Sequence, residues 1–454
     1  MKSNVKLMTK GPIASAILSF AIPIFISNFL QRLYQTIDSL VVGNFVGKEA
    51  LAAITSIGPV TFLMVGFING IFIGAGVVIS KYFGANDIKN AKKAVHSDVA
   101  LALLFCVIFT SFGYWFSPRI LTWMNTPASV FELANSYVRI YMLGSSFLIL
   151  YNMSTGILQA FGNSKNPLYF LIISTIINII LDLLFVGKLG FGIKGAAYAT
   201  IISECVSAVL SVRLLLFTNE IYKVKIKKIH FHSNIIKQIL HIGVPSGIQN
   251  SVVSFSNVFL QASVNTFGAA AMAGNGSYAR IQSFAFIPVA AFSMGIMTFV
   301  SQNIGAQEYD RVKKGIHFSF ITAIVTAEFL GIILYLSAHV LLRGFSSDPE
   351  VIAFGMQKAQ ISTLFFFIVA YSHLMAGIFR GAGRSIVPMF VMLFFWCLVR
   401  VVYVTITLQY IHKITVVFWA YPITWTLSSI VFTIYYFKVD WMKEKPARVA
   451  KKQA

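Results

Sequence analysis

Two carboxylates inside apolar stretches are the residues of this sequence best suited to chemistry. Asp38 lies near the end of an apolar stretch at 13–44, and Asp182 lies within another at 167–187. Burial and a neighbouring carboxylate both disfavour the charged form of an acid, so such a pair could load and release a proton. Oxygen-rich groups also suit a hard cation such as Na⁺. Both ions stay open at this point.

Polar residues at helical spacing accompany both acids. Steps of three or four residues place side chains on one face of a helix. The residues that share a face with the acids in this way, or follow the same spacing in the next apolar stretch, are Asn28, Gln31, Gln35, Asn178, Thr200 and Glu204. Oxygens from Asp38, Asn178, Asp182 and Thr200 together predict an ion site. For Glu204 a hydrogen-bonded structural role is an equal alternative.

The composition indicates a membrane protein. Of the 454 residues 57% are hydrophobic and 11% are charged, whereas soluble domains carry roughly 25% charged residues. Twelve apolar stretches reach the length of about 20 residues that a membrane-spanning helix needs. They are predicted near 13–44, 50–80, 95–117, 130–158, 167–187, 194–217, 238–266, 272–302, 316–342, 351–379, 386–410 and 416–437.

The second half of the chain repeats the first at a constant offset. Residues 74–93 recur at 295–314, and residues 156–167 recur at 377–388. Two blocks with one common offset indicate two copies of a six-helix unit, related as a parallel repeat, which is typical of secondary transporters. We expect an all-α integral membrane protein with an N-lobe at 1–217, an inter-lobe linker at 218–237, a C-lobe at 238–437 and a basic tail at 438–454.

The positive charge is distributed by side of the membrane. The formal net charge is +21, and we assign about 25 of the lysines and arginines to one side by the positive-inside rule. This predicts that both termini and the linker face the cytoplasm, in the cell membrane. The charge then reflects topology and attraction to anionic lipid, so we expect no nucleic-acid partner.

Signatures of enzyme chemistry are missing from the sequence. The stretch Gly43 to Lys48 differs from a phosphate-binding loop in its spacing and lacks the Ser or Thr after the lysine. Neither an HExxH motif nor a paired CxxC is present. We therefore expect a protein that is not an enzyme, carries no cofactor and draws its energy from an ion gradient.

Several motifs resemble the MATE (multidrug and toxic compound extrusion) transporters, and more closely their DinF-like branch. They are Pro23 with Asp38, residues 50–53, residues 178–182 and residues 195–200. The resemblance implies two lobes around a V-shaped cavity and export of amphipathic, often cationic compounds in exchange for H⁺ or Na⁺. It also implies that Asp38, Asn178, Asp182 and Thr200 form the ion site, with Tyr137 and Asn152 nearby.

The second half departs from the NorM-like branch of that family, because residues 238–266 and 351–379 contain no acid. We expect ion coupling in the N-lobe and a substrate-binding role for the polar stripe of the C-lobe, formed by Asn250, Ser254, Asn257 and Gln261. A lipid-linked oligosaccharide flippase is the alternative function. It would need basic side chains in the cavity, so the positions of Arg32, Arg280 and Arg400 discriminate. We expect a monomer that handles small amphipathic molecules among membrane lipids.

Overall fold

The computed structural model describes residues 7–124 and 126–442, without the side chains at 48, 49, 51, 52, 54–57, 59, 60, 62, 128, 129, 254 and 255. All regular elements of this part are helical. The α-helices are α1 Ile13–Phe45, α2 Lys48–Gly84, α3 Ile88–Trp123, α4 Ala128–Ala160, α5 Lys165–Asp182, α6 Gly192–Phe217, α7 Ser233–Asn265, α8 Ala269–Gly305, α9 Tyr309–Arg343, α10 Pro349–Ser362, α11 Phe366–Gly381, α12 Ile386–Met392, α13 Arg400–Tyr410 and α14 Ile414–Lys438.

Three of the long helical segments are interrupted without ending. A π-helical turn, Leu183–Lys188, continues α5, and another, Leu393–Val399, joins α12 to α13. A 3₁₀ turn at Thr363–Phe365 joins α10 to α11. Counted with these turns, the described chain forms twelve long helical segments, which confirms the predicted fold class.

Ten of the twelve segments are long and apolar enough to cross a membrane. The other two, α4 and α7, have sufficient length but carry more polar residues. The helix α4 packs against α2, α3 and α6, and α7 packs mainly against α2. Protein therefore covers much of the surface of these two helices, which relaxes the demand for an apolar side chain at each position.

The repeat is visible in the backbone as well as in the residues. The helices α2 and α8 begin at 48 and 269 and end at 84 and 305, so both ends recur at the offset that carries residue 74 onto residue 295. The turns recur too: Asn86 and Gln307 have φ of 58° and 60°, and Gly162 and Gly383 have φ of 79° and 76°. Glycine adopts this left-handed region without strain, which explains its recurrence at the second pair.

The two lobes exchange the first halves of their leading helices. Ile17 and Phe20 of α1 belong to an apolar core built mostly from α8, α9, α11 and α14, whereas Val41 and Val42 belong to the core of the first half. The helix α7 does the reverse, because Ile239 packs into the core of the first half. This crossing ties the lobes together and leaves the later halves of α1 and α7 to line the space between them.

The lobes touch closely at the end that carries the α2–α3 and α8–α9 turns. The Ser301 hydroxyl donates a hydrogen bond of 2.7 Å to the Val77 carbonyl oxygen, and Gln302 Nε2 donates one of 2.9 Å to Ala160. A Cβ atom on Gly84 would collide with the Gln302 carbonyl oxygen, and one on Gly305 would collide with that of Lys81. Glycine is needed at both positions because the two backbones meet there, which closes this end.

Candidate functional site

Two adjoining cavities lie above the closed end. The larger, of about 300 Å³, is lined mainly by α1, α2 and α4, with Asn250 of α7 and Met294 of α8 contributed by the other half. The smaller, of about 40 Å³, lies between α1, α4, α5 and α6. Gln31 and Tyr151 belong to the walls of both. A small polar pocket within the N-lobe thus adjoins a larger space shared by the lobes.

Two buried acids with unpaired carboxylate oxygens lie near the smaller cavity. Neither acid lines it, but Tyr34 does and is within electrostatic reach of Asp38. Asp38 is 9% exposed and Asp182 is 0% exposed. Within the described part of the chain, no group hydrogen-bonds to Asp38 Oδ1, to either Asp182 oxygen or to the side-chain amide of Asn178. The two carboxylates are close enough to interact electrostatically. Leaving so many buried polar atoms unpaired is costly, so the arrangement fits a site that a proton or a cation occupies.

The local backbone explains how Asp182 and Asn178 come to point inward together. The two residues are one helical turn apart on α5, and the π turn Leu183–Lys188 starts directly after Asp182. A π turn changes the register of the following side chains and is frequent at functional sites. Thr200 of α6 lies beside Tyr34, is 2% exposed and donates its hydroxyl to the Ala196 carbonyl oxygen at 3.0 Å. The structure therefore buries all four predicted ion-site residues in the N-lobe.

Tyrosines surround the acids. Tyr34 of α1 lies beside Thr200 and within electrostatic reach of Asp38. Tyr137 of α4 is buried, stacks on Tyr141 with ring centroids 6.3 Å apart, and is within electrostatic reach of Asp38 and Asp182. A phenol can donate a hydrogen bond to a carboxylate or accept one from a protonated acid. The tyrosine hydroxyl groups can therefore act as donors when the acids are charged and as acceptors when the acids are protonated.

The other N-lobe candidates divide by position. Asn28, Gln31 and Asn152 line the larger cavity, and Asn152 Nδ2 donates to the carbonyl oxygen of its own helix at Leu148, 2.9 Å away. Glu204 lines the smaller cavity with Asn178. Gln35 is exposed and lines neither cavity, so its predicted place in the cavity has no support in this conformation.

The predicted C-lobe stripe does not form one surface. Asn250 lines the larger cavity and donates to the Gly66 carbonyl oxygen at 3.4 Å. Asn257 is exposed and lines neither cavity. Gln261 accepts a hydrogen bond of 2.8 Å from Asn275 and lies away from both cavities. The side chain of Ser254 lies outside the described residues. A shared role in substrate binding stays a prediction for these four residues.

Three charged or polar residues were not predicted from the sequence. Tyr34 sits beside the predicted ion site, but nothing in its spacing separates it from an ordinary packing tyrosine. Asp98 is fully buried in α3 and neither of its oxygens has a partner among the described residues; the signal was an acid near the start of a predicted span. Lys358 is 3% exposed in α10. The sequence feature that could have identified Lys358 is a single lysine within a predicted span.

The three arginines that bear on the alternative function do not line the cavities. Arg32 and Arg280 are exposed, and Arg400 is buried in the second half, where it donates from Nη2 to the Thr424 hydroxyl at 2.9 Å. None of them is part of the wall of the larger or the smaller cavity. A pyrophosphate group in the larger cavity would find none of these three cations, which does not favour a flippase.

Comparison with known proteins assigns the chain to a family. The MatE family model matches residues 23–184 and again 245–406. The chain is 29% identical over 442 residues to the "Probable multidrug resistance protein YoeA" of Bacillus subtilis, covering 95% of this chain and 94% of that protein. It is 27% identical to the "Probable multidrug resistance protein NorM" of Thermotoga maritima, covering 84% of this chain and 82% of that protein.

A solved structure shares the fold. It is described as the outward-facing conformation of a multidrug resistance MATE family transporter of the MOP superfamily, and it matches with a TM-score of 0.90 at 22% identity. The match covers 96% of this chain and 97% of that chain. Placement in the DinF-like branch stays a prediction. Since the family model matches both halves and the likeness extends over the whole fold, the chain is an integral membrane protein that belongs to the MATE family of transporters.

Proposed function

We propose that this protein is a secondary antiporter that exports amphipathic, cationic compounds in exchange for H⁺ or Na⁺. The observation that carries the proposal is the pair Asp38 and Asp182: Asp38 Oδ1 and both Asp182 oxygens are buried and lack partners among the described residues. An ion bound there would supply the missing interactions. A cationic compound in the adjoining larger cavity would compete with that ion for the same negative field, which couples the two binding events.

Alternating access requires that one end of the space between the lobes be closed at a time. In this structure the backbone contacts of Gly84 and Gly305 close the end with the α2–α3 and α8–α9 turns. In the proposal this end faces the cytoplasm, as do both termini and the linker at 218–237. The lobes at 1–217 and 238–437 then rock about the crossing of α1 and α7, and the protein works as a monomer in the cell membrane.

The relatives support the class of cargo. Both proteins compared above are named as probable multidrug resistance proteins. The larger cavity has a mixed wall, with amides such as Asn28 and Asn152 beside methionines such as Met294 and Met297. Methionine is flexible and polarisable and fits ligands of different shapes. A wall of this kind suits a variety of amphipathic molecules better than one fixed ligand.

Transport in proteoliposomes tests the proposal. Purified protein is reconstituted, and efflux of a fluorescent lipophilic cation is measured with a proton gradient alone, a sodium gradient alone or neither. We expect one gradient to accelerate transport and its dissipation by an ionophore to stop it. Equal rates with and without both gradients would contradict coupled exchange. Movement of anionic lipid-linked sugars but of no lipophilic cation would contradict the proposed cargo.

A further inference from the structure

The second lobe contains two buried cations that the proposed function does not use. Lys358 of α10 is 3% exposed and Arg400, the first residue of α13, is 1% exposed. Lys358 lies nine residues past the start of α10, or about 14 Å along the helix axis. The Lys358 side chain is therefore too short to extend past the start of α10 and place its amine in water.

One aromatic ring connects the two cations. The Lys358 amine lies 5.4 Å and the Arg400 guanidinium 4.8 Å from the ring centroid of Tyr421 in α14. Arg400 also lies 5.5 Å from the Trp396 ring. Because both cations lie close to this one ring, the separation between them cannot exceed the sum of these two distances to Tyr421. Like charges this close in a low-dielectric region repel each other, and their attraction to aromatic faces offsets only part of that cost.

Neutral groups make up the remaining contacts of the two cations. Lys358 Nζ donates to Asn275 Oδ1 at 2.8 Å, and Arg400 donates from Nε and Nη2 to the single Thr424 hydroxyl at 3.2 and 2.9 Å. Neither cation has an ion pair within the described part of the chain. A buried charge is normally paired, and an amine with three donors has one such partner here. The cluster lacks a negative charge.

A chain of amides leads from the surface to the Lys358 amine. Asn265 is exposed and accepts a hydrogen bond of 2.9 Å from Gln261. Gln261 accepts one of 2.8 Å from Asn275, which in turn accepts the bond from Lys358. Gln261 is half-buried and Tyr421 is half-buried. A continuous set of polar side chains therefore connects the exposed Asn265 with the buried Lys358 amine.

The repeat relates this cluster to the acidic site of the first lobe. Lys358 corresponds to Tyr137, because the helices that carry them begin at 349 and 128 and each residue lies equally far from the start of its helix. Tyr137 lies within electrostatic reach of Asp38 and Asp182. The two lobes therefore hold polar clusters of opposite charge at equivalent places of the repeat.

We propose that Lys358 and Arg400 form an anion-binding site in the second lobe. The site takes a small anion or the anionic group of a transported compound between the two cations, with further donors from Tyr421 and Asn275. A free inorganic ion and an acidic group on the cargo share this chemistry. The site does not depend on the coupling role proposed for the first lobe, so either proposal can fail without the other.

Thermal unfolding of the purified full-length protein tests the site. In detergent, chloride or sulfate replaces gluconate at constant ionic strength, and Tm is followed by tryptophan fluorescence. We expect a saturable rise in Tm for the native chain. In Lys358→Gln the half-saturating concentration should increase at least tenfold, whereas Lys413→Gln, at an exposed position of the same lobe, should behave like the native chain. A native chain without any saturable response, or an unchanged response in Lys358→Gln, would overturn an inorganic anion as the occupant.

A tethered anion provides a second test that does not rely on removing a buried charge. Asn275→Asp preserves the size of the side chain that contacts Lys358 and adds the missing negative charge. We expect a higher Tm than that of the native chain in gluconate and loss of the response to chloride or sulfate. A lower Tm in gluconate together with a retained response would overturn the proposal.

The origin of the anion is distinguished by ligand competition. Binding of fluorescein, an anionic dye, and of ethidium, a cationic dye, is measured by anisotropy in the native chain and in Lys358→Gln. Fluorescein binding that is displaced by chloride and lost in the variant assigns the site to an anionic group of the cargo. Chloride binding without fluorescein binding assigns it to a free anion. If neither anion depends on Lys358, the site does not exist.

Discussion

Tyr137 and Lys358 occupy equivalent positions of the two repeats, and their surroundings have opposite charge. Tyr137 lies within electrostatic reach of the carboxylates of Asp38 and Asp182. Lys358 contacts Tyr421 and Asn275 and has no acidic partner among the described residues. The two lobes keep one backbone plan, as their matched turns show, but have diverged in the charge of their polar cores. This divergence is consistent with the proposal that the coupling cation binds in the first lobe.

Adding a methyl group at Gly84 should separate the two lobes at the closed end. In Gly84→Ala the new Cβ atom would collide with the Gln302 backbone, so the lobes must separate there, at a cost of about 1–3 kcal/mol. Spin labels on cysteines at Lys89 and Asp310, exposed and equivalent positions of the two lobes, should move apart and Tm should fall. Gly276→Ala is the matched control, since its Cβ would meet nothing within 4 Å. An unchanged label distance in Gly84→Ala would refute the role of this contact.

The linker should be reachable only from the cytoplasm. Lys227→Cys in the linker and Lys413→Cys in the turn before α14 are both exposed and lie in loops that the positive-inside rule assigns to opposite sides. A membrane-impermeant maleimide added to intact cells should label position 413 alone, and both positions after lysis. The unsubstituted chain corrects for Cys106, Cys205 and Cys397. Labelling of position 227 in intact cells would reverse the proposed orientation.

A single amide in the larger cavity should affect the choice of cargo rather than coupling. Asn152→Ala removes a side chain whose described hydrogen bond is to its own helix, so packing between helices should survive. Loss of a contact to cargo of about 1 kcal/mol should change export of some compounds about fivefold relative to others, with the gradient still required. Asn44→Ala, at an exposed position near the end of α1, is the control. Equal changes for all compounds would argue against a specificity role.

Much of the fold follows from the sequence because it depends on local patterns. The constant offset between the two halves predicts the matched turns at Gly162 and Gly383, since a left-handed turn requires a particular residue type. Spacing on α5 likewise places Asn178 and Asp182 on one face. The stripe on α1 is less well predicted, because Gln35 shares the periodicity of Asp38 but is exposed. Periodicity predicts which side chains share one face of a helix, but it does not predict which neighbouring element packs against that face.

The buried cations of the second lobe illustrate what periodicity leaves out. Lys358 and Arg400 are far apart in sequence and meet only through Tyr421 on a third helix. A lone lysine or arginine in a span commonly extends to the membrane surface, so each residue taken alone predicts nothing unusual. Their joint burial is a property of helix packing between α10, α13 and α14, for which the sequence contains no local signal.

Gradient-driven export by Asp38→Asn and Asp182→Asn tests the central claim most directly. Each change keeps the size of the side chain but removes the group that can change its protonation or bind a cation with full charge, and a group without that difference cannot contribute to coupling. Asp310→Asn, whose native side chain is 93% exposed, is the control. In proteoliposomes both N-lobe variants should insert normally and show no acceleration by the gradient that drives the native chain, while Asp310→Asn stays driven. Native rates in both variants, still driven by the same gradient, would contradict coupling through these two aspartates and direct attention to Glu204, which lines the smaller cavity.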